Sequence, residues 1–245
     1  MDDVNAAKII IACLDLTSLG NNDTEQDIIK LCQRAQTPYG KTAAVCIWPK
    51  FIPLAKNILR DSGIKIATVV NFPDGGDDLI RLEMEITNAI KSGADEIDAV
   101  FPYQEYLKGN ITLCEEFLRT ATKLCYKKAT LKIILETGAL KNITHIISAT
   151  KLCISHGVNF IKTSTGKTEI SATPETANAI LETIVAGRKN AGFKASGGIK
   201  TIDDAKKYLI LADSIMGYKW ITPKNFRIGA SSLLDNLIEV IERGY

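Results

Sequence analysis

The sequence predicts an α/β protein, a single (β/α)8 (TIM) barrel over residues 1–245. Short β-branched segments alternate with helical patterns eight times, which argues for a closed parallel barrel. The chain length of 245 residues matches the roughly 250 that such a barrel takes. No linker, low-complexity tract or block of like charge divides it. A doubly wound open sheet is the alternative. It would usually show fewer units, and the G-x-G-x-x-G turn of a dinucleotide site is missing after the first strand.

Taken in order, the first strand is read at 9–17 (IIIACLDLT), ending in Asp15 and Thr17. The helix after it is capped by Asn22 or Thr24 and carries Ile28, Ile29, Leu31 and Cys32 on its apolar face. The second strand, 43–49, is closed by Pro49, and a helix over 52–62 stops at Gly63. The third strand, 64–73, ends in Asn71, Phe72 and Pro73. A long helix bearing Leu79, Leu82, Met84, Ile86 and Ile90 follows and ends at Gly93. The fourth strand, 96–102, carries Asp98 inside it. A short helical piece at 104–108 and a helix over 113–127 come next. The fifth strand, 131–138, has Glu136 near its end and leads to a helix over 143–155. The sixth strand, 159–165, contains Lys162. Thr173 and Pro174 start the next helix, as N-cap and first helical residue. The seventh strand, 192–199, contains Lys194, with a helix at 201–213 after it. The eighth strand, 226–232, precedes a closing amphipathic helix over 233–242.

Composition narrows the function classes. Hydrophobic content of 46% with 24% charged residues is ordinary for a globular protein with a substantial core. A net charge of +2 makes no electrostatic case for nucleic acid or an anionic membrane. No apolar run approaches the roughly 20 residues that span a bilayer, and Met1-Asp2-Asp3 carries the wrong charge for a secretory leader. The six cysteines form no CxxC pair, which fits reduced thiols and a cytoplasmic location. His145 and His156 both fall in helical patterns, so a His-based zinc site or catalytic triad is not expected.

In a barrel the working residues lie at the C-terminal ends of the strands. The polar residues there are Asp15, Thr17, Cys46, Asn71, Asp98, Glu136, Lys162, Lys194, Ser231 and Ser232. Lys162 stands where its strand should still be in the core, and burying an ammonium is costly unless it is paired or neutral. Two readings fit: an amine held partly deprotonated as a nucleophile, or a lysine paired with a carboxylate at a strand end. Lys194, on the adjacent strand, favours the first. A free lysine has a pKa near ~10.4. A second ammonium about 4 Å away is worth roughly 4 kcal/mol at an effective dielectric of ~20, enough to bring one amine near neutrality. Alternatively, Lys194 points to another layer or pairs structurally with Asp98. Cys46 reads more readily as packing than as chemistry, and Trp48 and Phe72 either line a pocket or fill the core. Glu136 is read as a catalytic-end acid or as a lysine's structural partner, and Arg227 as paired with an acid near the barrel base.

A phosphate argument is separate. Residues 163–167 (TSTGK) form a small polar turn of the kind that wraps an anion. Small-residue turns also follow strands seven (196–198) and eight (229–232), where many barrels hold a phosphate beside a helix N-terminus. Glycines after barrel strands also serve plain turn geometry, so the weight lies on three such turns being neighbours.

Seven motifs then carry a resemblance: 13–17 (CLDLT), 45–53 (VCIWPKFIP), 67–75 (ATVVNFPDG), 93–102 (GADEIDAVFP), 160–167 (FIKTSTGK), 193–201 (FKASGGIKT) and 227–232 (RIGASS). Over essentially its whole length the chain resembles the deoxyribose-phosphate aldolases, class I (Schiff-base) aldolases of the (β/α)8 type. The resemblance implies that Lys162 forms the imine, that Lys194 lowers its pKa, and that Asp98 handles protons with Lys194 and an ordered water. It implies a phosphate site at Gly166, Lys167, Gly197, Gly198, Gly229, Ser231 and Ser232, with Thr165 also binding substrate. Asp15, Thr17 and Cys46 match pocket positions. Some family members use a C-terminal tyrosine in proton transfer, and Tyr245 ends this chain.

The implied reaction is reversible cleavage of 2-deoxy-D-ribose 5-phosphate to D-glyceraldehyde 3-phosphate and acetaldehyde, in deoxyribonucleotide breakdown. No metal or organic cofactor is implied, because the iminium replaces a Lewis acid. The expected partner is a small phosphorylated sugar, with no nucleic acid and no membrane; a homodimer is the assembly considered. Three rivals remain open at this point: a Schiff-base enzyme for another phosphorylated sugar or keto acid, a phosphosugar isomerase with a Glu base, and a binding protein without catalysis.

Overall fold

The apolar run at the N-terminus folds otherwise than its sequence suggests. Residues read as the start of the first strand belong to helix α1, Asp3–Ala12. Asp2 caps it, its carboxylate accepting from the Asn5 N–H at 2.8 Å. Ala6, Ala7, Ile10 and Ile11 bury one face at helical spacing. A short apolar run does not by itself separate a helix from a buried strand; here the cap decides. The first strand proper, β1, is Leu14–Ser18.

The computed structural model describes residues 1–187 and 191–244. Among them, eight parallel strands close a barrel in chain order, with the last pairing back onto β1. After β1 come β2 (Ala44–Ile47), β3 (Lys65–Val70), β4 (Glu96–Val100) and β5 (Thr130–Ile134). The circle is completed by β6 (Phe160–Lys162), β7 (Gly192–Ser196) and β8 (Phe226–Ala230). The predicted fold class is the one observed.

Between the strands run α2 (Glu25–Arg34), α3 (Ile52–Ile58), α4 (Leu79–Ser92), α5 (Tyr103–Leu107) and α6 (Ile111–Cys125). The second half adds α7 (Thr137–Leu140), α8 (Ile143–Ser155), α9 (Pro174–Ala186), α10 (Ile202–Met216) and α11 (Leu233–Arg243). α1 packs on α10 and α11 rather than joining the sheet. Thr24, not Asn22, caps α2, in a reciprocal capping box with Asp27. Elements with no counterpart in the sequence reading include α7, a hairpin of Gln36–Thr37 with Gly40–Lys41, and a 3-10 turn at Tyr218–Trp220. β6 ends at Lys162 rather than at residue 165, so the polar turn after it is loop and not strand.

Alternation along each strand separates two interiors. Leu14, Leu16, Val45, Ile97, Ile133, Ile161, Phe193 and Ile228 face outward into the core beneath the helices. Inside the barrel, Ala44, Cys46, Ala67, Val69, Val100 and Ile134 form a small apolar cluster on the β2–β5 side, with Leu19 and Phe72. The rest of the barrel interior is largely ionic, with the Phe160 ring against the Arg227 guanidinium. Asp15, Glu96, Asp98, Lys132, Lys162, Lys194 and Arg227 are all buried. Strand register aligns Lys162 with Lys194, and Lys194 with Arg227, across β6, β7 and β8.

Candidate active site

The interior charges form one connected network. Asp98 is its pivot. One carboxylate oxygen accepts from Lys132 at 2.8 Å, and the other is shared by Lys162 at 2.9 Å and Lys194 at 2.8 Å. Lys194 also reaches Asp15 at 2.5 Å, and Lys132 bridges Glu96 at 2.5 Å and Asp15 at 3.3 Å. Arg227 closes the network at the lower end, pairing with Asp15 at 2.5 Å and with Glu96 at 2.7 Å. The acid near the base that the sequence suggests for Arg227 is thus Glu96, with Asp15 above it. Gly229 makes room for this geometry: a Cβ there would lie 2.9 Å from the Lys194 Cε.

Three carboxylates meet four bases in this network, which leaves one base without a full counter-charge. Buried charges are tolerated only when compensated. The odd member is Lys162, whose pKa is lowered by burial and further by the neighbouring Lys194, against the opposing pull of Asp98. Burial would also lower Lys194, but Asp15 and Asp98 outweigh it and hold its ammonium above the ordinary lysine value. Burial likewise disfavours charge on Lys132, yet Asp15, Asp98 and Glu96 keep it firmly protonated. Burial opposes charge on Asp98 and Asp15, and the surrounding cations overcome it and hold both carboxyls well below the ordinary range. The two-lysine argument from sequence therefore needs correction in its cause: desolvation leads at Lys162 and the second ammonium follows.

Above this floor a cleft of about 490 Å³ opens at the C-terminal ends of the strands. Lys162 lines it, together with Thr17, Thr165, Gly166, Lys167, Gly197, Gly198, Gly229, Ser231 and Ser232. The predicted substrate-binding positions other than Asp15 and Cys46 thus share one wall-and-rim. Asp15 lies beneath the cleft, fully buried in the ionic network. Cys46 is also fully buried, in the apolar interior cluster, and burial pushes its thiol pKa up. Asp98 and Lys194 are covered by Lys162 and have no exposed surface. Lys200 joins the rim, a residue that sequence reasoning does not single out. A cavity of similar size, about 510 Å³, lies at the opposite end over Lys65, Glu96 and Thr130 and does not reach Lys162.

Two sequence readings change here. Among the described residues Glu136 pairs with no lysine: its buried carboxylate accepts from the Thr165 hydroxyl at 2.5 Å, the Thr165 N–H at 3.3 Å and the Thr168 hydroxyl at 3.2 Å. Within the turn at 163–167, Thr165 gives both its hydroxyl and its N–H to the Glu136 side chain. Lys132 is the second change. A lysine between Leu131 and Ile133 inside a strand gives the same signal as Lys194, yet only barrel closure brings it to Asp98, Glu96 and Asp15. Tyr245 lies outside the described residues. No group of three or more His, Cys, Asp or Glu among the described residues could hold a metal ion, and no helix among them is long and apolar enough to cross a membrane.

A closed β/α barrel with a lysine at the floor of its C-terminal cleft defines the class, a barrel enzyme whose working end is the strand C-termini. Residues 9–237 match the profile of the DeoC/LacD family aldolases, and the chain belongs to that family. A Coccidioides immitis protein provisionally assigned as a deoxyribose-phosphate aldolase is 28% identical, with a TM-score of 0.84 over 95% of this chain and 86% of that one. The aldolase QR15 is 26% identical, with a TM-score of 0.82 over 96% and 97% of the two chains. The tetrameric deoxyribose phosphate aldolase of Aeropyrum pernix, 22% identical, shares the fold at a TM-score of 0.79 over 100% and 98%.

Proposed function

We propose that this aldolase is a Schiff-base enzyme that reversibly cleaves 2-deoxy-D-ribose 5-phosphate to D-glyceraldehyde 3-phosphate and acetaldehyde, in deoxyribonucleotide breakdown. One observation carries the reading. Among the four bases of the buried ionic network, Lys162 is the one that lines the C-terminal cleft, and it is the one whose pKa is lowered. The amine that substrate can reach is the amine most readily neutral.

Neutral Lys162 adds to the substrate aldehyde, and protonation of the carbinolamine hydroxyl, delivered by a water held by Asp98 and Lys194, expels it as water and forms an iminium. The iminium draws the electron pair of the bond between the α and β carbons as that bond breaks. The β-hydroxyl proton passes to the same water held by Asp98 and Lys194, which afterwards returns it to the enamine carbon, and glyceraldehyde 3-phosphate departs. Protonation of the enamine carbon and hydrolysis of the resulting iminium release acetaldehyde and return the amine. Asp98 itself is too weak a base to take the proton outright, because the Lys132 and Lys194 ammonium groups both pair with its carboxylate. Its role is to hold the two lysines and the transferred proton in one place. Gly166, Lys167, Gly197, Gly198, Ser231 and Ser232, with the N-terminus of α11, grip the phosphate, while Thr17 lines the same cleft from the adjacent strand β1.

The whole chain acts as one catalytic domain in the cytoplasm, assembled as a homodimer, which light scattering tests. The reaction is tested by following acetaldehyde release from deoxyribose 5-phosphate with a coupled alcohol dehydrogenase. Release that survives a chelator and disappears in Lys162→Ala is expected; binding without release would turn the reading to a phosphosugar-binding protein.

A further inference from the structure

We infer that Glu136 is a positioning residue that sets the substrate-gripping turn after β6, and through it the preference for a phosphorylated substrate. The inference rests on the cleft holding a sugar phosphate, as proposed above.

Glu136 follows β5 in the left-handed region, at φ 55° and ψ 64°. A non-glycine residue adopts that conformation at a cost, and such a cost persists only where the surroundings hold it. Here it turns the carboxylate inward, away from solvent and into the loop of the next strand. All of its recorded partners are uncharged donors of that loop: the Thr165 hydroxyl and amide, and the Thr168 hydroxyl. No ion pair to Glu136 exists among the described residues.

The direction of these bonds matters. The Thr165 hydroxyl donates to the Glu136 carboxylate. Its oxygen is then free to accept, and it receives the Lys167 N–H at 3.0 Å. Glu136, Thr165 and Lys167 thus form a relay that fixes the turn around Gly166, which has φ 77°. With the turn so fixed, Thr165, Gly166 and Lys167 line the cleft beside Lys162. Lys167 stretches across to the Leu19 carbonyl at 2.7 Å. The neighbouring residues lace the same two loops together. The Leu135 N–H donates to the Lys162 carbonyl at 2.9 Å and the Thr137 N–H to the Thr163 carbonyl at 3.0 Å. Gly138 lies so close that a Cβ there would stand 2.1 Å from the Ile170 oxygen.

Glu136 touches neither the cleft nor Lys162, so its effect should fall on phosphate grip more than on imine chemistry. Glu136→Gln keeps the shape but puts an amide donor against hydroxyl donors. The expected result is a dissociation constant for inorganic phosphate, read by calorimetry, raised roughly tenfold or more. The ratio of kcat/KM for deoxyribose 5-phosphate to that for 2-deoxyribose should fall by a similar factor. Thr168→Val removes one of the three bonds and should give a smaller change in the same direction, which keeps the test alive if Glu136→Gln does not fold. An unchanged phosphate affinity, or an equal loss on both substrates, would overturn the assignment. If the unaltered enzyme cleaves neither sugar, the reaction proposed above fails, and phosphate binding alone still decides the role of Glu136.

Discussion

Replacing Lys132 by methionine tests the charge balance that the account rests on. Three carboxylates (Asp15, Glu96 and Asp98) face Lys132, Lys194 and Arg227, with Lys162 as the base left over. In Lys132→Met the remaining three bases match the three carboxylates only if Lys162 is charged. Lys132 and Lys162 sit on the two oxygens of one carboxylate, which places their nitrogens about 6 Å apart. At an effective dielectric of ~20, losing that repulsion favours the Lys162 ammonium by about 3 kcal/mol, or about two pH units. The ascending limb of kcat/KM should therefore move up by about two units, and the rate at neutral pH should fall by about a hundredfold. Much of the rate should return at high pH. A kcat/KM profile between pH 5 and 10, with a parallel denaturant melt, reads both effects. A melt that weakens while the limb stays in place would show that Lys132 only holds the barrel together and would refute the balance argument.

Other predictions follow from the same contacts. Asp15 and Asp98 are held below the ordinary carboxyl range in the folded state, so their contribution to stability is complete above the unfolded pKa of about 3.9 and is lost as pH falls further. Denaturant midpoints should thus decline below about pH 4; a midpoint that rises on acidification contradicts the assignment. Gly138→Ala drives a methyl into the Ile170 carbonyl and should cost about 1–3 kcal/mol of stability by overpacking, read as a lowered Tm; an unchanged Tm would mean the two loops part freely. Burial pushes the Cys153 and Cys46 thiols up, so iodoacetamide at pH 8 should leave both unlabelled in native protein and label them in urea.

Much of the barrel is legible because all strands but Gly192–Ser196 carry β-branched residues and most helices carry a cap, as at Thr173 and Pro174. Ile9–Ile11 mislead because an apolar run of that length suits either period, and the deciding Asp2 cap lies outside the run. Lys162, Lys194 and Asp98 stand out because each breaks an apolar strand. Their environment does not stand out. Lys132, Glu96 and Arg227 meet Asp15 only because the barrel closes, and no local pattern records which inward positions share a layer. The turn at 163–167 shows the limit most clearly. Its composition announces an anion, but only the fold shows that the nearest anion is Glu136.

The central claim is that the Lys162 amine attacks the substrate carbonyl, and borohydride trapping tests it most directly. The protein is incubated with acetaldehyde and borohydride and mapped by peptide mass spectrometry. A reduced ethyl adduct on Lys162, formed faster as pH rises through a limb below the ordinary lysine value and absent in Lys162→Ala, is the predicted result. An adduct on Lys194 instead, or none on either lysine while deoxyribose 5-phosphate is still cleaved, would contradict it.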